Sequence, residues 1–205
     1  MAIKEIKRLD DADQRFSKKA ISWTTANVSI WIAVSAVLGL VVGGGAIYLQ
    51  QSAVSNENLL AAQLNGRVAL EEAELRALIR DNNIVAYWSG PEQNCKYALI
   101  VNGSGQAFIR YLKDGMGIDD SSSNYRVIGT YPQADSFSIT KAAGNQANAI
   151  SFVNPDGAQV FYSKEFPANV YLAFPDVNYQ IEIFDPENGV SLSIATAAGA
   201  IRKVD

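Results

Sequence analysis

Residues 28–49, VSIWIAVSAVLGLVVGGGAIYL, form a run of 22 without a single charge, and no other feature of the chain constrains its architecture as strongly. At about 1.5 Å per helical residue the run reaches about 33 Å, the thickness of a bilayer's hydrocarbon core at about 30 Å. It is expected to be one membrane-spanning helix. The ion-free zone is wider still, because nothing ionisable occurs between Lys19 and Glu57. A charge placed in lipid costs on the order of several kcal/mol. A cleaved signal peptide would have an apolar stretch of roughly 7–15 residues ending at a small-x-small site. Here the stretch is longer and ends in Tyr48-Leu49-Gln50-Gln51, so the span is read as retained.

The charges around the run set its direction. Residues 1–27 hold six Lys/Arg against four Asp/Glu, with Lys18-Lys19 just ahead of the span, whereas the first basic residue after it is Arg67. The excess of cations before the span predicts a cytoplasmic tail over 1–27 and an extracytoplasmic remainder. The expected location is therefore a cell membrane, of the bacterial cytoplasmic kind, crossed once. Trp23 and Trp31 at one end and Tyr48 at the other fit interfacial aromatic anchors. Within the span Ser35, Gly39 and Gly43 recur every four residues and share one helix face, where a second backbone can approach closely. Gly39-x-x-x-Gly43 is a helix-pairing motif, so these three residues are the candidate face for self-association or for a membrane protein partner.

After the span the composition turns to Ala, Leu, Glu, Gln and Arg without proline, all good helix formers. A membrane-proximal helical linker is expected over 50–83, continuing the transmembrane helix outward. Ala61, Leu64, Val68, Leu75 and Leu78 fall at three- and four-residue steps, with Glu71 interrupting, and form either a short coiled-coil seam or a stripe packed on the chain's own next domain. Gly66 weakens such a helix.

From residue 84 the apolar period shortens toward two and turn residues become frequent, which predicts a mainly antiparallel β domain over 84–205. Strands are expected at 85–88, 97–102, 106–112, 125–131, 149–153, 159–163, 169–174, 179–184 and 190–195, with a short edge at 202–204. Hairpin turns are expected at Gly103-Ser104-Gly105 and Asn154-Pro155-Asp156-Gly157, and one or two helical turns at 135–143. The fold class is thus α+β and membrane-anchored, the outer domain being a sandwich or a curled sheet with the long helix outside it or packed on one face.

Composition narrows the function. The chain has no histidine and one cysteine, which removes Ser-His-Asp and Cys-His nucleophiles, the commonest zinc ligand and any internal disulfide. Residues 50–205 carry eleven Lys/Arg against seventeen Asp/Glu, the wrong sign for nucleic acid. No cofactor motif is present: Gly103-Ser104-Gly105 lacks the lysine and helix of a phosphate loop. Asp114, Asp119 and Asp120 do not follow EF-hand spacing and read as a solvated loop. Ser138 and Lys141 lack any further mark of an activated pair. Cys95 is either a small buried residue or a thiol able to bridge chains. The sequence therefore points to a non-enzymatic accessory or assembly subunit docking through its β domain. A ligand-binding or sensory module for a peptide, glycan or ion is the first alternative, and an unusual His-free enzyme the second. No small-molecule ligand is indicated.

Overall fold

A computed structural model describes residues 56–115, 117–120 and 122–205. The tail over 1–27, the expected span over 28–49 and its Ser35, Gly39 and Gly43 face lie outside the described residues. Among the described residues no helix is long and apolar enough to cross a membrane.

The chain enters through helix α1 (Asn56–Leu64) and helix α2 (Glu72–Asp81), followed by strands β1 (Tyr87–Trp88), β2 (Cys95–Val101), β3 (Ala107–Lys113) and β4 (Val127–Pro132). Helix α3 (Ser136–Ala143) leads to β5 (Ala149–Val153), β6 (Gln159–Ser163), β7 (Asn169–Ala173) and β8 (Tyr179–Phe184). Helix α4 (Val190–Thr196) and β9 (Arg202–Lys203) complete the order. Seven strands form one antiparallel sheet in the order β2-β3-β4-β8-β7-β6-β5, while β1 and β9 pair separately. Two meanders, β2-β3-β4 and β5-β6-β7-β8, are thus stitched together along the β4–β8 seam. Of the two forms expected for the outer domain, the structure has one principal sheet with helices on it.

Side-chain alternation splits the sheet into two faces. One face presents Tyr97, Leu99, Ile109, Ile128, Val160, Val170, Leu172, Ile181 and Ile183, all buried in the main core. Leu75, Leu78 and Ile79 of α2, Trp88 of β1, Ala195 of α4, and Ile201 and Val204 of the C-terminal segment cover it. Helix α3 lies over the other face, where Gln180 Nε2 donates to Thr140 Oγ1 at 2.9 Å and a side chain at Gly144 would collide with Ser151.

One continuous helix over 50–83 is not what forms. Helix α1 ends at Leu64 and α2 begins at Glu72, because Gly66 adopts φ +69° and approaches Ile100 so closely that a Cβ would stand 2.6 Å from its Cγ1. Only glycine meets both conditions at little cost. The chain then runs along the outer edge of β2, where Leu70 and Tyr97 exchange backbone hydrogen bonds at 2.7 and 2.8 Å. The five stripe positions are divided accordingly. Ala61 is exposed, Leu64 and Val68 are half-buried against the core, and Leu75 and Leu78 are inside it. Helix α2 is therefore part of the β domain's core, and a boundary at residue 83 cuts through that core.

The strand expected at 190–195 is the helix α4. Val190, Leu192 and Ile194 alternate as in a strand, but Gly189 at φ +82° opens a helical turn. The small Ser191 and Ala195, one turn apart, then lie against the sheet, Ser191 Oγ donating to the Ala168 carbonyl at 2.6 Å.

Candidate functional site

Three polar clusters and one cleft are the places where chemistry could reside. The first centres on Glu182 in the middle of β8, on the face opposite the main core. The register sets Glu182 between Gly129 of β4 and Tyr171 of β7. Gly129 leaves room that a side chain would take from the ring of Tyr131, since a Cβ there would stand 2.9 Å from it. Through that gap Tyr131 donates its hydroxyl to Glu182 Oε2 at 2.5 Å. Tyr171 OH and Asn169 Nδ2 donate to Oε1 at 2.9 and 2.7 Å. Glu182 is 2% exposed, and no Lys or Arg among the described residues is ion-paired with it. Burial pushes the carboxyl's pKa up, while the three donors pull it back toward the charged form. Burial, and then the neighbouring carboxylate, push the Tyr131 and Tyr171 hydroxyls up as well.

The second cluster fastens residues 89–92 to the sheet. Arg126 Nε pairs with Asp185 Oδ2 at 2.7 Å and its Nη1 with Glu92 Oε1, and the guanidinium stands 5.4 Å from the Tyr111 ring centroid. Tyr111 OH accepts from Ser89 N and Oγ at 3.0 Å and donates to the Gly90 carbonyl at 3.2 Å. Glu92 N donates to Tyr97 OH at 2.9 Å.

The third orders the acidic loop after β3. Arg110 Nη2 donates to the Asp120 carbonyl at 2.6 Å and to that of Gly117, and its guanidinium sits 4.4 Å from the Tyr125 ring centroid. Asp120 Oδ1 accepts from Ser122 N at 2.9 Å and Oδ2 from Tyr125 OH at 2.8 Å. The Ser122 amide and then the Tyr125 hydroxyl hold the Asp120 carboxyl below its ordinary value. Asp120 thus closes its own loop while remaining exposed to solvent.

Beside these, a surface cleft of about 540 Å³ is lined by Glu71, Glu92, Cys95, Lys96 and Asp114. Lys96 Nζ is already paired with Glu71 Oε1 at 2.8 Å. Cys95 is buried, its Sγ 3.3 Å from the Lys96 carbonyl, and burial raises the thiol's pKa, which makes it a poor nucleophile. Among the described residues no group of His, Cys, Asp and Glu is arranged to hold a metal.

Sequence reasoning did not single out Glu182, Arg126 or Arg110. A signal for the first existed: a carboxylate between two isoleucines in the strand YQIEIF, with tyrosines abundant in the neighbouring strands. The Glu182 and Arg126 clusters spend their charged groups on contacts within the domain, and Arg110 spends Nη2 on its own loop while its buried Nε has no partner among the described residues, so the clusters hold loops and strands in place. No protein family model, curated protein or solved structure matches the chain.

Proposed function

We propose that the chain is a single-pass membrane protein, not an enzyme, whose extracytoplasmic β domain docks onto a partner as an accessory or assembly subunit of a larger membrane complex. One observation carries the reading: the 22 uncharged residues 28–49 directly after Lys18-Lys19. Support comes from the use of polar groups in the β domain, where Glu182, Arg126 and Arg110 all serve internal contacts. The Ser35, Gly39 and Gly43 face is the proposed contact within the bilayer.

Topology is tested in right-side-out vesicles with an impermeant thiol reagent on chains carrying Cys95→Ser. A cysteine introduced at Ser122 is expected to react and one at Ser17 to be protected, and labelling at position 17 alone reverses the orientation. Affinity purification of the intact chain in mild detergent is expected to recover a membrane complex. Recovery of this chain alone, at native expression, refutes the accessory-subunit role. The sensory alternative draws on the charged cleft beside Lys96 and requires a ligand that displaces Glu71 from that lysine.

A further inference from the structure

We propose that the outer edge of β5 is a self-association site, at which two copies of this chain pair their β5 strands antiparallel about a two-fold axis at Ser151 and continue the sheet from one copy into the next. Four observations combine.

The two edges of the sheet differ. At the β2 edge the 65–70 segment is already seated, with bridges at Asn65–Ile100 and Leu70–Tyr97. At the other edge, among the described residues, β5 pairs with β6 alone. Natural edge strands are ordinarily blunted by charge, proline, a bulge or a cover, yet the sequence AISFV contains neither charge nor proline.

Exposed apolar side chains gather there. Outside α1, the large hydrophobic residues left exposed among the described residues are Ile150 at 37%, Val153 at 59% and Phe166 at 51%. The first two are on β5. Phe166 is on the turn between β6 and β7, which is tied to the residue before β5 by Lys164 N donating to the Asn148 carbonyl at 2.8 Å.

The register leaves a usable set of backbone groups. Asn148–Lys164 and Asn154–Ala158 are hydrogen-bonded pairs at the two ends of the β5–β6 ladder. Antiparallel alternation then turns Ile150 and Phe152 inward to β6 and directs the N–H and C=O of Ser151 and Val153 outward. With Ser151 on the axis, Ser151 N–H meets the second copy's Ser151 carbonyl and Val153 N–H meets its Ala149 carbonyl. Each of these bonds is repeated by symmetry.

The same register is self-complementary. It sets Ile150 across from the second copy's Phe152 on the core side and Val153 across from Ala149 on the other, so no like charges are opposed. A head-to-tail pairing of β5 with β2 would build a filament, but the seated 65–70 segment obstructs it. The closed dimer is what remains. A five-residue pairing lies at the small end of specific interfaces, so association is expected to be micromolar or weaker, and strongest where copies are concentrated. The inference does not depend on the membrane reading.

The test uses the full chain in mild detergent. Cysteine at Ser151 in a Cys95→Ser background is expected to form a disulfide dimer on mild oxidation, because a directly opposed pair at about 5.5 Å between Cα atoms is within disulfide reach. Cysteine at Ser104, at the β2–β3 turn, is expected to remain monomeric. Val153→Pro removes an outward N–H and no bond to β6. It is expected to keep the wild-type circular dichroism spectrum and melting while raising the dimer Kd at least tenfold in sedimentation equilibrium. A chain monomeric at 100 μM, or a dimer with no Ser151→Cys cross-link, overturns the proposal. So does a dimer weakened by Gly39→Ile with Gly43→Ile and untouched by Val153→Pro.

Discussion

Replacing Glu182 separates two effects that its burial combines. Glu182→Leu strands three buried donors, the hydroxyls of Tyr131 and Tyr171 and the Asn169 amide, each at about 1–3 kcal/mol. The added apolar surface returns about 2 kcal/mol, leaving a net loss on the order of 4 kcal/mol. Glu182→Gln keeps one acceptor for Asn169 and Tyr171, and its amide can donate to the Tyr131 oxygen, so about 1 kcal/mol is expected near pH 5. The difference between wild type and Gln then changes with pH. Burial raises the folded-state pKa of Glu182 above its unfolded value. The stability the protonated carboxyl contributes is complete below the unfolded value, near 4.3, and is lost as the pH rises through the folded one. Inside that window stability falls by about 1.4 kcal/mol per pH unit. Urea denaturation of residues 56–205, followed by tryptophan fluorescence between pH 4 and 8, is expected to show Glu182→Gln gaining on wild type as the pH rises. A wild-type minus Gln difference flat across that range would refute the burial argument. Equal midpoints for the Leu and Gln variants would refute the donor argument.

Beginning a fragment at residue 84 removes Leu70, Leu75, Leu78 and Ile79 from the core, each contributing about 1.5–3 kcal/mol, a loss comparable to a whole domain's stability of about 5–15 kcal/mol. Residues 84–205 are expected to lack a cooperative thermal transition, which residues 56–205 show by circular dichroism. Arg126→Met leaves the buried Asp185 without its partner and is expected to lower stability by about 3 kcal/mol, read as a shifted urea midpoint with unchanged slope. In native membranes, Gly39→Ile with Gly43→Ile is expected to reduce cross-linking of the chain to itself or to a membrane partner, whereas Val37→Leu with Val41→Leu leaves it unchanged.

The strands were legible wherever local chemistry and tertiary need agreed. Asn154-Pro155-Asp156-Gly157 is a turn by composition. In the structure Asn154 Oδ1 closes it by accepting from Asp156 N and Ala158 N at 3.1 and 2.8 Å. The flanking β5 and β6 match expectation residue for residue. Where the two disagreed, the sequence misled. The alternation of Val190, Leu192 and Ile194 is a strand pattern, but Gly189 opens a helical turn and α4 buries the small Ser191 and Ala195 against β7 and β8. Gly66 looked like a weak point in a helix and is a designed break, whose reason is Ile100 across 34 residues of sequence. The Glu182 cluster was hidden for a similar reason: its four side chains come from β4, β7 and β8, and only the sheet order brings them together.

The seating of residues 65–70 on the β2 edge also has a mechanical consequence. Any load on the domain from its N-terminal side enters through α1 and meets the Asn65–Ile100 bridge and then the paired Leu70 and Tyr97 before it reaches the seven-stranded sheet. Those two bridges and the docking of α2 lie in series with the pull, while the long ladders behind them stay unloaded. Under tension the domain would open at this latch first. Peeling away the segment would bare the outer rim of β2 and the pocket left by Leu75, so a tug on one end of the protein would create a new sticky strand edge.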